Sequence, residues 1–434
     1  MKVLGIITEY NPFHKGHKYH IEEAKRITGA DYVIAVMSGD FVQRGTPAIT
    51  SKYDRSLMAL YNGVDMVFEL PVCYATGSAQ YFALGAVSLL NGLGIVDYLC
   101  FGSECGDIEL LKEAAQLLNS PSESFQSLLY SYIKDGISYP AARALAAEQT
   151  LLSENKDKSS QLLEAISEPN NILGIEYINA LKQIESTIIP VTIRRHKAHY
   201  HDKYINHDND KNNSKANNDY SDGISSATAI RAILENTKIS SDLNLVKGSV
   251  PKNVYEYFIR NHYTTYPITI EDFAAIIKYK LLSESSRELA TYLDLSSDIA
   301  DRIKNIDMID LSLEELSQSI KTKNITLTRV NRSLIHVLLN IKKEAFQEYI
   351  DDKIIYYARI LGMKKEASHL IRKIKKHERL PIITKVSSAY KQLDPLGLQM
   401  LNQDIFASHL YNQIIYDKFK TTIVNEYKHG ICLI

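Results

Sequence analysis

Residues 2–17 read KVLGIITEYNPFHKGH. The apolar run over 2–7 predicts a short buried strand. Residues 17–28 then put Tyr19, Ile21, Ala24 and Ile27 on one face, which predicts a helix. A helix that starts just beyond a strand presents unpaired backbone N–H groups and the positive end of its dipole. Gly16 lets a bulky group come close to the backbone. His14 and His17, three residues apart, share one side of the first turn. Two imidazole N–H donors there suit a phosphate whose charge grows in a transition state. The bland alternative is a pair of solvated or capping histidines. The strand–loop–helix context favours the phosphate site.

The pattern repeats outward from this stretch. YVIAVMS (32–38), DMVFELP (65–71) and VDYLCFG (96–102) predict further strands. SKYDRSLMALYNG (51–63) predicts a helix with Leu57, Leu60 and Tyr61 inward and Gly63 as its stop. A helical segment covers 78–91, and IIPVTIRR (188–195) is read as the last strand. Apolar, β-branched runs alternating with helices mean a parallel α/β sheet. Such sheets bind ligands beyond the carboxyl ends of their strands, where EYNPFHKGH, SGDFVQRG and FGSECGD all fall. Residues 201–222 are rich in Asn, Asp and Lys and predict a mobile polar loop. From about 240 onward helical periodicity dominates. The expected organisation is an α/β domain over 1–235 and a mostly α-helical domain over 236–434.

Composition narrows the function classes. With 434 residues, two to three domains are expected. A net charge of −1 excludes a globally basic, polyanion-binding surface, so any RNA contact must be a local patch. Cys73, Cys100, Cys105 and Cys432 form no C-x-x-C pair and no His/Cys cluster with zinc spacing, so they are read as reduced and buried, and no metal site is assigned. The first apolar run is too short for a signal peptide, and 82–96 is too short and broken to span a bilayer. A cytoplasmic protein without membrane association is expected. The dipeptide Gly-Lys never occurs and no G-x-G-x-x-G follows a strand, so neither a P-loop nor a dinucleotide fingerprint competes with the histidine motif.

H-x-G-H after the first strand of a parallel α/β domain resembles the signature of the nucleotidylyltransferase superfamily, whose HUP-type fold is shared with class I aminoacyl-tRNA synthetases. Those enzymes activate ATP or CTP at the α-phosphate and release pyrophosphate. Their second signature, a serine/threonine-rich turn ending in arginine, is matched by ISSATAIR (224–231). Ser225, Ser226 and Thr228 would open a helix and offer hydroxyl and N–H groups to the β- and γ-phosphates, with Arg231 adding charge. Taken alone, this stretch is also an ordinary N-cap. The synthetase K-M-S-K-S loop is absent, which leaves open which cation meets the leaving pyrophosphate.

GIITEYNPFHKGHKYHIEEAK, VMSGDFVQRGTPAI, FGSE, EPNNILGIEYI, PVTIRRHKAHYH and LPIITKVS together resemble the bacterial tRNA-Met cytidine acetate ligase family. The resemblance implies two steps. Acetate attacks ATP to give acetyl-adenylate and pyrophosphate, and the N4 amine of the wobble cytidine of elongator tRNA-Met then takes the acetyl group. It also implies that the loop Ile7, Thr8, Glu9, Tyr10, Asn11, Pro12, Phe13, His14, Lys15, Gly16, His17, Lys18, Tyr19 and His20 wraps ATP. Gly102 would let the adenosine rest on bare backbone. Asn170 and Arg195 would contact ATP, with Asn171 and Arg194 leaving each assignment open by one residue.

His14 and His17 are the candidate catalytic groups, joined by Asp40, which would orient the cytidine amine or hold a magnesium ion; a plain polar loop is the alternative. Mg²⁺ is the expected companion of ATP. Arg44 would meet RNA phosphate. The stretch 364–385 carries eight Lys or Arg against two Glu. As a helix it would turn Leu370, Ile371 and Ile374 inward and present Arg372, Lys373, Lys375, Lys376 and Arg379 as a basic rim for tRNA. A solvated helix face is the competing reading. Acetate and elongator tRNA-Met are the expected partners, with no membrane and no obligate protein partner. Two other functions stay open: a small-molecule nucleotidylyltransferase, and a nucleotide-sensing RNA-binding protein without turnover.

Overall fold

The computed structural model describes residues 1–119, 123–137, 139–153, 159–195, 226–377 and 379–434. The polar loop expected at 201–222 and Ser225 lie outside the described residues. Five parallel strands run through the first two hundred residues: β1 (Val3–Thr8), β2 (Tyr32–Ser38), β5 (Met66–Leu70), β6 (Tyr98–Ser103) and β7 (Ile189–Arg194). The short β3 (Phe41–Val42) and β4 (Thr46–Pro47) form an antiparallel hairpin between β2 and β5.

Reading 188–195 as the last strand needs correction. β8 (Ala358–Met363) joins the same sheet antiparallel to β5, and β9 (Ile382–Ile383) and β10 (Cys432–Leu433) pair with β8. The order is β10-β8-β5-β2-β1-β6-β7 with β9 beside β8. The helical part of the chain therefore docks on the sheet through shared strands. ARILGM over 358–363 lacks the strict alternation that marks a half-buried strand, because every residue in it is buried.

Period-two alternation in β1 serves two cores. Leu4 and Ile6 pack with Ile21 and Ala24 of the Lys15–Thr28 helix and with Ile230 and Leu234 of the Ala227–Asn236 helix. Val3 faces the opposite core, with Leu90 and Leu93 at the end of the Ala79–Gly92 helix. The chain builds β1, β2 and β5 in one direction and then returns to place β6 and β7 on the other side of β1. The carboxyl ends of β1 and β6 are thus the topological switch point, where an open α/β sheet has its crevice.

The helix expected at 51–63 forms over Lys52–Tyr61, but its inward face differs from the expectation. Tyr61 is 64% exposed, while Lys52 and Arg55 are fully buried. Arg55 can be buried because its guanidinium donates to the carbonyls of Thr50, Glu9, Ser38 and Gly39. Of the cysteines, Cys73 and Cys100 are buried, while Cys105 and Cys432 are only partly so; all four are free.

The β3–β4 hairpin is held by one residue that must be glycine. Gly45 has φ +75°, and a Cβ there would fall on the backbone of Asn331 and Arg332 in the Leu327–Leu338 helix. Gly45→Ala is expected to lower stability by more than about 1 kcal/mol. Urea unfolding would report this as a lower midpoint, and an unchanged midpoint would contradict it.

Candidate active site

A cavity of about 320 Å³ opens at the switch point. Its floor is the carboxyl end of β1 and β6, and its rim includes the N-termini of the Lys15–Thr28 and Ala227–Asn236 helices. H-x-G-H and ISSATAIR, more than two hundred residues apart, meet here because both helices pack on the same face of the sheet.

The histidines do two jobs. His14 is the N-cap of its helix, and its Nδ1 accepts the Gly16 N–H at 3.0 Å. His17 reaches back, its Nδ1 accepting the His14 N–H at 3.3 Å. The rings stack with centroids 3.7 Å apart, and the edge of Tyr10 packs on His17 at 4.9 Å. This is a capping box built from two imidazoles. Since each Nδ1 is an acceptor, a neutral ring carries its proton on Nε2, the one remaining donor.

The rings are neutral at ordinary pH. Burial pushes His14 down to about 3, with the charges of Arg195 and Arg231 adding to the shift. Burial and then Arg195 push His20 down to about 4, and burial, His14, Arg195 and His20 lower His17. Groups of this kind bind protons in the unfolded chain below about pH 6.5 but resist them when folded, so the unfolded state holds more protons and stability rises with pH. The stabilising contribution is full above about 6.5 and is lost as pH falls toward the folded values. The ligand-free protein is therefore expected to melt at progressively lower temperature from about pH 6.5 to 4. A melting temperature flat over that window would contradict the assignment of neutral rings.

Around the histidines, Ser226 caps its helix by accepting the Ala229 N–H at 3.2 Å. Arg231 donates to the Asn11 carbonyl at 2.7 Å and to the Thr228 hydroxyl at 3.2 Å, tying the two signatures together. Asn170 and Asn171 now separate. Asn171 is 1% exposed and accepts the backbone N–H groups of Glu104 and Cys105. Asn170 lines the cavity and accepts from Arg195 at 2.8 Å. Both Arg194 and Arg195 line it. Gly102 also lies on the wall, but the Arg195 side chain rests against it, 3.1 Å from where a Cβ would be.

Most of the predicted loop lines the cavity: Ile7, Thr8, Glu9, Tyr10, Asn11, His14, Gly16, His17, Tyr19 and His20, with Ser226, Thr228 and Arg231 opposite. Four members of the loop do not. Pro12 and Phe13 are buried beneath it. Lys15 and Lys18 border a separate surface depression with Tyr61 and Lys252, because helical rotation carries them away from His14 and His17. Asp40 is corrected too. It is 4% exposed, its Oδ1 accepts the Lys52 N–H at 2.8 Å, and burial raises its pKa. It does not line the cavity. Arg44, by contrast, stands at the cavity mouth on the β3–β4 hairpin.

The basic rim forms as expected in its local structure, since Leu370 and Ile374 of the His369–His377 helix are buried. Its position differs. β8 runs antiparallel, so its end at Met363 lies beside Met66, at the amino end of β5. His369 contacts Tyr32 at the start of β2, Lys373 reaches Met1, and Arg379 donates to the Asn91 carbonyl ahead of β6. Arg372, Lys373, Lys375, Lys376 and Arg379 therefore sit at the amino ends of the strands. A six-residue strand, about 20 Å long, separates them from the cavity.

Several cavity residues had no signal in the sequence reading. Gln43, Phe82, Phe101, Leu173, Tyr177 and Ile193 come from elements whose cavity-facing positions depend on packing. Glu104 was also missed as an organiser. Its carboxylate accepts from the N–H groups of Asn170 and Asn171 and caps the Pro169–Gln183 helix from outside.

The sequence over residues 1–426 matches the profile of a family described as HIGH Nucleotidyl Transferase. A protein of Acetivibrio thermocellus named tRNA(Met) cytidine acetate ligase is 39% identical over 415 residues, covering 95% of this chain and 94% of the relative. One of the same name from Halothermothrix orenii is 37% identical over 438 residues, covering 97% and 96%. The chain belongs to the tRNA(Met) cytidine acetate ligase family. The fold agrees with this membership. Thermotoga maritima TmcAL bound with alpha-thio ATP superposes with a TM-score of 0.88 at 29% identity, over 100% of both chains. The apo form of the same protein gives 0.89 at 30% identity.

Proposed function

We propose that the chain is a cytoplasmic ATP-dependent ligase. It activates acetate as acetyl-adenylate, releases pyrophosphate, and transfers the acetyl group to N4 of the wobble cytidine of elongator tRNA-Met. The observation that carries this reading is the convergence of H-x-G-H and the Ser226–Arg231 turn on one cavity at the switch point, in a chain whose relatives bear this activity's name. Acetate is already an anion, so the first step needs no strong base. It needs in-line positioning and neutralisation of charge on the α-phosphate. The Nε2–H groups of His14 and His17 and the positive end of the helix dipole serve this purpose. Neutral imidazoles also avoid an ion pair that would hold the ground state as firmly as the transition state. Arg231 and the N-terminus of the Ala227–Asn236 helix receive the pyrophosphate end, and Arg194, Arg195 and Asn170 the nucleoside end.

The residues present do not fit a protein-held magnesium ion. Glu9 is the one carboxylate among the described cavity residues, Asp40 is committed to the Lys52 backbone, and no group of three metal-ligating side chains occurs among the described residues. No step is drawn through a metal. Among the described residues no helix is long and apolar enough to cross a membrane.

The deciding experiment supplies ATP, labelled acetate and an unmodified elongator tRNA-Met transcript, and looks for acetylated cytidine in a nuclease digest. No label under conditions where ATP binds would reject the reading. RNA must approach the carboxyl ends of the strands, where Arg44 stands. Arg44→Glu is expected to weaken RNA-dependent transfer at least tenfold more than the Lys375→Glu/Lys376→Glu pair, since a groove-edge cation matters most where the reacting base enters. The reverse order, measured by kcat/KM for tRNA, would restore the rim as the RNA surface.

A further inference from the structure

The cavity has two banks, and the phosphate chemistry of the adenylation step falls on one of them. On the bank of the first helix stand His14, His17, Ser226 and Arg231. On the other, Phe82 of the Ala79–Gly92 helix and Leu173 and Tyr177 of the Pro169–Gln183 helix join Phe101 of β6 in an apolar wall. Phe101 and Tyr177 pack with ring centroids 5.5 Å apart. Arg195 reaches this bank through Asn170 of the Pro169–Gln183 helix, and one acid completes it. Glu9 is the only carboxylate among the described cavity residues, and it stands just past the end of β1.

Glu9 is fixed at two points. Its Oε1 accepts the Gln43 N–H at 2.9 Å, from the tip of the β3–β4 hairpin. Its main-chain carbonyl accepts from the buried Arg55 at 2.7 Å. Glu9 lines the same cavity as Tyr177, whose pKa is raised first by burial and then by the charge of Glu9. An aromatic wall beside one fixed carboxylate is complementary to a flat heteroaromatic amine. The ring stacks on the aromatic side chains, and the exocyclic amino group donates to the carboxylate, the pairing by which acidic side chains read cytosine N4.

We propose that Glu9 is the general base of the second step, holding the cytosine amino group beside the Phe82–Tyr177 wall and taking its proton. This rests on the ligase reading above. The N4 lone pair is delocalised into the ring, so the amine is a weak nucleophile and must shed a proton as it attacks. N4 bonds to the carbonyl carbon of acetyl-adenylate. The carbon–oxygen bond to the phosphate breaks, and its electron pair leaves with AMP. One N4 proton passes to Glu9 and then to water. Asp40, expected from the sequence to orient the cytidine amine or hold magnesium, is buried and accepts the Lys52 N–H instead.

The test separates the two steps. The holoenzyme is loaded with ATP and labelled acetate, adenylate formation is followed by pyrophosphate release, and tRNA is then added for a single turnover. Glu9→Gln keeps an oxygen for the Gln43 N–H but removes the base. Transfer to tRNA is expected to fall about 10²-fold or more beyond any fall in adenylation, the span of a general base. With hydroxylamine, a nucleophile that needs no base, hydroxamate formation should fall only as far as adenylation does. Should the glutamine variant fail to fold, Glu9→Asp, which retracts the carboxylate by one methylene, must still slow transfer more than adenylation. Equal losses in both steps, or undiminished transfer, would overturn the proposal. A wild-type protein that forms no acetyl-adenylate would overturn the ligase reading instead.

Discussion

His17→Ala is expected to slow acetate-dependent ATP–pyrophosphate exchange by about 10²–10³-fold, the cost of removing one preorganised donor to a developing oxyanion. The expectation follows from how the ring is held. Its Nδ1 accepts the His14 N–H, it stacks on His14, and Tyr10 packs on it edge-on, so Nε2–H is fixed before substrate arrives. A donor that needs no reorganisation stabilises the transition state most. His17→Gln should recover part of the loss, because an amide N–H can reach toward the same phosphate. His14→Ala is less clean: it also removes the N-cap and with it about 1 kcal/mol of helix stability. Exchange within fivefold of wild type for His17→Ala would refute the account of the phosphate site.

The second large effect concerns stability. Lys52→Met is expected to cost about 3–5 kcal/mol, because it strands buried carboxylates. Lys52 Nζ lies 2.8 Å from Glu69, 3.1 Å from Glu426 and 2.6 Å from the Ser408 hydroxyl, with Asp40 4.0 Å away. Arg359 of β8 completes the cluster. It pairs closely with Glu426 and lies 2.9 Å from Glu69, near enough for an ion pair though without a directed hydrogen bond. Burial and the neighbouring Arg359 push Lys52 down, but Glu426 and Glu69 more than reverse this, and its pKa is raised. Burial pushes Glu426 up, and Lys52 and Arg359 outweigh it, holding Glu426 at about 2. This cluster joins β5, the Lys52–Tyr61 helix, β8 and the Pro395–Phe419 helix, so its loss should loosen the whole C-terminal half. Urea unfolding is the measurement. A loss under about 1 kcal/mol would show that the cluster's desolvation cost cancels its attraction.

The side of the cavity formed by His14, His17, Ser226 and Arg231 was legible in the sequence for a physical reason. A helix start after a buried strand sets its own local geometry, and His14, Gly16 and His17 occupy fixed positions on that first turn. Local rules therefore suffice, and the same holds for Ser226, Thr228 and Arg231 at the second helix start. The family resemblance added the substrates, which no spacing could supply. Local rules also explain why Lys15 and Lys18 leave the cavity: side chains three or four residues apart share a face, and theirs is turned away from that of His14 and His17.

What the sequence by itself determined is the parallel α/β sheet, the two helix starts proposed for phosphate, and the aromatic and basic residues available to a site. Tertiary structure alone decided which of them meet. It buried Asp40 against Lys52 and left Glu9 as the cavity's carboxylate. It chose Asn170 over Asn171, and it brought β8 into the sheet antiparallel, which carried the basic helix to the far end from the cavity. The reason is that helix starts and strand periods are set by neighbours within a few residues. The partner of a buried charge and the direction of an added strand are set by side chains up to several hundred residues away.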